Sequence, residues 1–233
     1  MMDAIHSDDR PMIRVLPNVF TAAELHAVRE LLSQVQFADG RATNPDSGVK
    51  HNLQAPQEDA ANARIAQIAR EALFRHPDLR IYARPRSMAR ATVVRYEPGM
   101  DYGWHVDEAL FPSTPPIRSD LSCTIFLNPR EDYDGGELTI QLGDQELAYK
   151  LDPGNAILYP STTIHRVTPV TRGVRLAAIT WLHSWIADTQ QRELLVQLDE
   201  ARALALRGAA GDARLQVLLE SLRANLFRMW ADT

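Results

Sequence analysis

The segment from Met88 to His183 constrains the fold most strongly. It consists of short runs rich in β-branched, aromatic and other apolar residues, each bounded by Gly, Pro, Asn or Asp. Closely spaced runs of this kind are typical of a β-sandwich or a jelly-roll barrel. The runs are 91–96, 102–106, 121–127, 137–141, 145–151, 155–159, 163–167 and 175–183. The sequence therefore predicts a mainly β fold.

One insert interrupts this series at 111–120. It contains Pro112, Pro115 and Pro116, and proline cannot donate a hydrogen bond to a β-ladder. We expect this insert to contain no strand and to form a loop over one mouth of the barrel.

Helices are expected before the β-rich segment. Thr21 and Glu24 form a capping box at the start of the first helix, which continues with apolar residues at helical spacing. A second helix is expected at 57–74, ended by Pro77. Amphipathic helices of this length pack on one face of a sheet. Between these helices and the β-rich segment, we expect a strand at 49–53.

Two further apolar stripes follow Trp185 and predict a C-terminal helical hairpin. We expect this hairpin to dock on the barrel or on another subunit, which favours a homo-oligomer. The expected organisation is a domain at 1–184, containing the N-terminal helices and the barrel, and a helical extension at 185–233.

Composition excludes several classes of function. The net charge of −5 gives no electrostatic reason to bind nucleic acid or an anionic membrane. The single cysteine, Cys123, excludes an intrachain disulfide and a multi-cysteine zinc site. Residues 1–11 are polar and contain no long apolar run, so we expect a loosely held lead-in and no signal peptide. A cytoplasmic protein is the expectation.

Three side chains suggest a metal site. His105 and Asp107 are two residues apart in an extended run, so their side chains share one face. His165 lies 58 residues after Asp107. Two histidines and one carboxylate, with other positions open, are the ligand set of non-haem Fe(II) oxygenases.

The surrounding runs resemble those of a known family. They are Arg95-Tyr96, 102–107 (YGWHVD), 118–124 (RSDLSCT), 131–138 (EDYDGGEL), 158–161 (LYPS) and 165–170 (HRVTPV). Together they are similar to the bacterial PKHD-type hydroxylases, in the prolyl and lysyl hydroxylase-like branch of the Fe(II)/2-oxoglutarate dioxygenases. The resemblance covers essentially the whole chain, including the helical tail.

This resemblance implies a double-stranded β-helix (jelly-roll) core and an iron triad of His105, Asp107 and His165. It also implies dioxygen as a reactant, 2-oxoglutarate as co-substrate, and ascorbate as an auxiliary reductant. Arg175 would pair with the far carboxylate of 2-oxoglutarate, a role that suits the planar guanidinium.

Other residues near this site have weaker assignments. Arg166 and Arg172 are alternatives to Arg175. Tyr96 matches a tyrosine that contacts co-substrate in related prolyl hydroxylases, whereas Phe126 replaces a second tyrosine of those enzymes.

Lys50 and Asn52 belong to a polar patch before the second helix. They are candidates for substrate contacts, although a solvated loop is the alternative interpretation of this patch.

The expected reaction is hydroxylation of an amino acid, a peptide or a small metabolite, with release of succinate and CO2. The alternative is a non-catalytic module that binds iron or 2-oxoglutarate as a signal. A zinc hydrolase is a third hypothesis, which lacks a motif such as H-E-x-x-H to supply the general base.

Overall fold

The computed structural model describes residues 12–208 and 212–232. The expected lead-in at residues 1–11 lies outside these ranges. Five α-helices are present in the described ranges. They are α1 (Ala22–Leu32), α2 (Ala60–Arg75), α3 (Pro77–Ala83), α4 (Thr189–Gly208) and α5 (Ala213–Trp230).

Short β-strands make up the central part of the chain. In chain order they are β1 (Arg14–Leu16), β2 (Ala38–Asp39), β3 (Lys50–His51), β4 (Leu53–Gln54), β5 (Pro85–Met88), β6 (Thr92–Tyr96), β7 (Asp101–His105), β8 (Leu110–Phe111), β9 (Ile117–Arg118), β10 (Leu121–Phe126), β11 (Tyr133–Gly135), β12 (Leu138–Leu142), β13 (Gln145–Tyr149), β14 (Ala156–Pro160), β15 (His165–Val167), β16 (Val170–Gly173) and β17 (Arg175–Ser184). The eight strands expected from the sequence are all present, within a few residues of their expected ends.

Two antiparallel sheets form the core. The larger has the order β1-β14-β10-β17-β6-β4-β2, with β5 also paired to β17. The smaller has the order β13-β12-β15-β7-β3. Two further pairs, β11-β16 and β8-β9, stand beside them. The expected mainly β fold with flanking helices is therefore confirmed.

The larger sheet is buried on both faces. In β10, Leu121, Cys123 and Ile125 pack in the same cluster as residues of α1 and α2. The next residue along, Phe126, points the other way and packs with Leu138 of the smaller sheet. This alternation follows from the two-residue repeat of a strand. It places the N-terminal helices on one face of the larger sheet, as the sequence predicted, and the barrel interior on the other.

Two local predictions were wrong, and a third was correct but incomplete. The insert at 111–120 does contain strand residues, because β8 and β9 pair as a hairpin. Its prolines lie between those two strands, where none needs to donate to the ladder. Pro77 ends α2 but also begins α3, since the first turn of a helix needs no N–H donor. The strand expected at 49–53 is divided, with β3 in the smaller sheet and β4 in the larger.

The C-terminal hairpin is present as α4 and α5, and a cluster of charges attaches it to the rest of the chain. Asp199 of α4 accepts from Arg84 at 2.7 Å, from Arg202 at 3.1 Å and from Arg223 of α5 at 2.7 Å. Arg84 follows α3, so this carboxylate links the hairpin to the N-terminal helices. None of the described helices combines the length and the apolar character needed to cross a membrane.

Candidate metal centre

Strand pairing brings the two candidate histidines together. His105 is the last residue of β7 and His165 is the first of β15, and the ladder places them directly opposite each other. Their ring centroids are 4.2 Å apart. Asp107 lies just beyond the end of β7, and one ligand atom from each of the three residues falls within 4.8 Å of the others. The structure therefore groups the three side chains that the sequence singled out.

Backbone hydrogen bonds fix the tautomer of both imidazoles. His105 Nδ1 is 2.8 Å from the Gly103 carbonyl oxygen, and His165 Nδ1 is 2.9 Å from the Thr163 carbonyl oxygen. Because a carbonyl oxygen only accepts, Nδ1 carries the proton in each ring and Nε2 keeps its lone pair. These Nε2 atoms are 3.9 and 3.7 Å from the Asp107 carboxylate oxygens.

This arrangement fits a divalent metal. Burial and the neighbouring His165 lower the pKa of His105 to about 4, so its Nε2 is unprotonated at neutral pH. Two imidazoles and one carboxylate that converge on one point are ligands for Fe(II). A hydrogen bond from the second ring nitrogen to a backbone carbonyl is the usual way in which metal-binding histidines are oriented.

Ser122 holds Asp107 in place and Ser161 contacts Ser122, and neither serine was expected at the site from the sequence. Ser122 of β10 donates to Asp107 Oδ2, and its hydroxyl is 2.8 Å from that of Ser161. Both serines are at most 3% exposed. A signal was available in β10, where Ser122, Thr124 and Phe126 share the face opposite to Leu121 and Cys123. Polar residues on the inner face of a buried strand point to a polar site there.

Aromatic rings pack against the histidines. The Tyr102 ring stacks on His105, with centroids 3.6 Å apart and planes at 9°. The Tyr159 ring approaches His165 edge-on at 5.0 Å. Burial raises the pKa of Tyr159 well above its usual value, with the Asp107 charge adding to the shift and the Arg175 charge opposing it. Tyr159 is therefore near both the Asp107 carboxylate and the Arg175 guanidinium.

Arg175 is a buried cation without an anionic partner. It is 1% exposed, and its guanidinium carbon lies 5.1 Å from the Tyr96 ring centroid and 5.5 Å from that of Phe126. Its Nε is buried with no hydrogen-bond partner. Across residues 12–208 and 212–232, no carboxylate forms an ion pair with it.

The two alternative arginines have partners of their own. Arg172 is exposed and pairs with Asp134 at 2.6 Å. Arg166 pairs with Glu146 at 3.0 Å and lies over the Trp104 ring at 4.3 Å. Trp104 is on the outer side of β7. Both arginines are thus paired with a carboxylate already, whereas Arg175 is free to bind an anion inside the barrel.

The polar patch at Lys50 and Asn52 is not a solvated loop, contrary to that interpretation of the sequence. Lys50 is 6% exposed and Asn52 is 5% exposed. The Lys50 ammonium donates to the Thr43 hydroxyl and to Gln54 Oε1, both at 3.0 Å, and burial lowers its pKa. The patch is buried because β3 and β4 pair with different sheets, which turns the chain inwards at Asn52.

Asn52 and Tyr96 lie together on the inner side of the site. Burial raises the pKa of the Tyr96 hydroxyl, while the charge of Arg175 and a hydrogen bond from the Asn52 side chain oppose this shift. Asn52 Oδ1 is buried without a partner. Lys50 reaches the same region, with its ammonium 5.8 Å from the Tyr102 ring centroid.

Comparison with known proteins gives relatives of similar length. A PKHD-type hydroxylase of Acaryochloris marina is 42% identical over 223 residues, which is 95% of this chain and 100% of the relative. A PKHD-type hydroxylase of Sphingopyxis alaskensis is 42% identical over 88% of this chain and 94% of its own length. The sequence resemblance to this family is therefore confirmed.

Solved structures share the fold at much lower identity. A prolyl hydroxylase from Trichoplax adhaerens, in complex with a hypoxia inducible factor peptide fragment, has a TM-score of 0.58 and 16% identity over 79% of this chain and 87% of its own. An oxidoreductase of the 2OG-Fe(II) oxygenase family from Burkholderia pseudomallei has a TM-score of 0.56 and 16% identity over 74% of this chain and 84% of its own. These likenesses support the jelly-roll core.

The family model for the 2OG-Fe(II) oxygenase superfamily matches residues 91–183. This range contains β6 to β16 and all of β17 except Ser184, and therefore the three clustered side chains and Arg175. Together with relatives above 40% identity over most of the chain, this match assigns the family. The chain belongs to the PKHD-type hydroxylases, 2-oxoglutarate-dependent enzymes of the 2OG-Fe(II) oxygenase superfamily.

Proposed function

We propose that this dioxygenase hydroxylates a small-molecule or peptide substrate, with His105, Asp107 and His165 holding Fe(II) and Arg175 binding 2-oxoglutarate. Succinate and CO2 are the expected co-products. The observation that carries the proposal is the buried, unpaired guanidinium of Arg175 in the same barrel interior as a converging set of two imidazoles and one carboxylate.

The three ligands leave room for co-substrate. Three protein donors on an ion that prefers six leave three positions open, enough for a bidentate keto acid and dioxygen. The bound iron supplies the redox chemistry that activates dioxygen. The chain supplies orientation, because the hydrogen bonds at both Nδ1 atoms and at Asp107 Oδ2 hold the donors in one geometry.

Arg175 explains why the co-substrate is a dicarboxylate. A charged group removed from water costs free energy unless it is paired. The distal carboxylate of 2-oxoglutarate would neutralise the guanidinium and accept two parallel hydrogen bonds from it. Tyr96 and Phe126 flank the guanidinium with their rings, which keeps water out of this ion pair and strengthens it.

The substrate side of the site is assigned to Lys50 and Asn52. Both are buried, and Lys50 lies beside Tyr102, whose ring stacks on His105. A buried ammonium that donates only to neutral oxygens can donate a further hydrogen bond to a polar or anionic group of a ligand. The catalytic chemistry is assigned to residues 1–184. Ascorbate is proposed as an auxiliary reductant on the family resemblance alone.

A non-catalytic sensor of iron or 2-oxoglutarate is the second candidate. Uncoupled decarboxylation distinguishes the two, because an enzyme that binds Fe(II) and 2-oxoglutarate releases some succinate without substrate. A sensor would bind both ligands stoichiometrically and release none. The open metal positions favour the enzyme, since a sensor has no need of them.

The helical extension at 185–233 is proposed to pair with a second copy of the chain. The outer face of α5 exposes Leu215, Leu218 and Leu222 at spacings of three and four residues, with exposures of 37%, 49% and 49%, and Met229 at 74%. An apolar stripe with helical spacing suits packing against a like helix. No buried residue is found on α5, so the hairpin leaves this face open.

Loss of a metal ligand should abolish both metal retention and turnover. We expect Asp107→Ala and His165→Ala to retain no Fe(II) after desalting and to release no succinate from 2-oxoglutarate. Metal analysis and succinate detection measure the two effects. His183→Ala, which changes a histidine outside the cluster, is the control. Normal metal content in both ligand variants would refute the triad.

Ser122→Ala should weaken metal binding without removing a ligand. Losing a group that orients a metal ligand typically costs 10- to 100-fold in affinity, and we expect a loss in that range in Mn(II) titrations. Thr180→Val removes another buried hydroxyl, which donates to the Ala89 carbonyl, and should leave the affinity unchanged. Equal losses in both variants would indicate a general packing effect.

Arg175→Met should separate co-substrate binding from metal binding. We expect the Kd for 2-oxoglutarate to rise about 30-fold or more, the cost of removing one partner of a buried charge pair. The Mn(II) affinity should be kept, and the free energy of unfolding without ligand should not fall, because an unpaired buried charge is removed. Calorimetry and urea unfolding measure these changes. Arg172→Met is the control, and an equal effect there would contradict the assignment.

Two charges on the outer face of α5 should dissociate the proposed oligomer. We expect Leu218→Glu with Leu222→Glu to reduce the mass in light scattering to that of one chain, 26.2 kDa. Ala23→Glu with His26→Glu adds the same charges to the exposed side of α1 and should leave the mass unchanged. A monomeric unmodified protein would refute the proposal.

A further inference from the structure

The hydroxyl of Tyr133 is a buried polar group that the functions assigned above do not use. Tyr133, the first residue of β11, is 1% exposed, and no described residue accepts a hydrogen bond from its hydroxyl. Burial raises its pKa, and the positive charge of Arg175 and a hydrogen bond from the Arg175 side chain oppose that rise. The guanidinium can only donate, so the phenol proton still lacks an acceptor. A buried donor without an acceptor is costly, and phenylalanine would fill the same space without that cost.

The ring is held so that its hydroxyl stays beside Arg175. Lys150 lies 4.0 Å from the ring centroid and donates to the Tyr133 carbonyl oxygen at 2.6 Å. On the other side, Gly136 leaves the space that both residues need. A Cβ at Gly136 would lie 2.9 Å from Arg175 Cδ and 3.2 Å from Tyr133 Cε2. Glycine at this position, with a φ of +68°, lets the phenol and the guanidinium stem pack side by side.

The other rings around Arg175 do not offer a free hydroxyl. Phe126 has none, and the Tyr96 hydroxyl is engaged by the Asn52 side chain. The Tyr133 hydroxyl and Arg175 Nε thus lie close together as two buried donors, neither of which has an acceptor in the described part of the chain. Both can donate to an anion.

We propose that Tyr133 is a co-substrate-binding residue, whose hydroxyl donates to the distal carboxylate of 2-oxoglutarate alongside Arg175. This inference rests on the proposed pairing of Arg175 with 2-oxoglutarate. The carboxylate has two oxygens and four acceptor positions, so it satisfies the guanidinium and the phenol together. Two buried donors that lack an acceptor are then both satisfied in a single binding step.

The test compares two keto acids on Mn(II)-loaded protein by calorimetry. 2-Oxopentanoate keeps the keto acid end of 2-oxoglutarate and has a methyl group in place of the distal carboxylate. We expect Tyr133→Phe to raise the Kd for 2-oxoglutarate about tenfold, as for a hydrogen bond to a charged group, and to leave the Kd for 2-oxopentanoate and the Mn(II) affinity unchanged. Tyr82→Phe is the matched control, because it removes a buried hydroxyl that donates to the Met12 carbonyl.

The outcomes separate this inference from the proposed function. An unchanged Kd for 2-oxoglutarate in Tyr133→Phe, or an equal loss for both keto acids, overturns the role of Tyr133. If Arg175→Met also binds 2-oxoglutarate normally, the proposed function fails as well. If Arg175→Met is impaired while Tyr133→Phe is not, Arg175 binds the carboxylate without the phenol.

Discussion

The antiparallel pairing of β7 with β15 is the constraint on which the candidate site depends. It places His105 opposite His165 across the ladder, although the two lie far apart in the chain. Because side chains alternate between the two faces of a strand, a slip of one residue would turn one histidine away from the other. Asp107, beyond the end of β7, completes the set only while this register holds. The candidate metal site is therefore a product of strand register as much as of residue type.

The larger sheet is buried on both faces, and it carries the other polar residues of the candidate site. Its outer face packs on the N-terminal helices through apolar residues, so its inner face is free to carry polar ones. Ser122 and Arg175 are on that inner face, and both are nearly inaccessible to solvent. Burying polar groups is unfavourable unless they are paired. Ser122 finds its partner in Asp107, whereas no carboxylate of residues 12–208 or 212–232 pairs with Arg175. The barrel is therefore less stable than it would be with an apolar residue at this position, which is the cost expected of a candidate anion site.

Much of this arrangement was predictable from local pattern. The β-rich runs, the capping box at Thr21 and the spacing of His105 and Asp107 are short-range features, which depend on a few neighbouring residues. The burial of Lys50 was not predictable, because it results from β3 and β4 joining different sheets. The contact of Ser122 with Asp107 was also missed, because it joins β10 to the segment that follows β7. Nothing in the sequence indicates that these two segments meet.

The sequence by itself determined the candidate metal ligands and their spacing, the strand content and the family. Each of these depends on residue identity and short-range periodicity. The tertiary structure decided which polar side chains are buried together and which lack a partner. Arg175, Arg172 and Arg166 have the same side chain, and the sequence favours Arg175 only because it opens an apolar strand. Only packing leaves Arg175 buried and unpaired, since the strand that carries it faces the interior while the other two reach Asp134 and Glu146 outside. Burial and pairing are set by contacts between distant segments, which chain order does not specify.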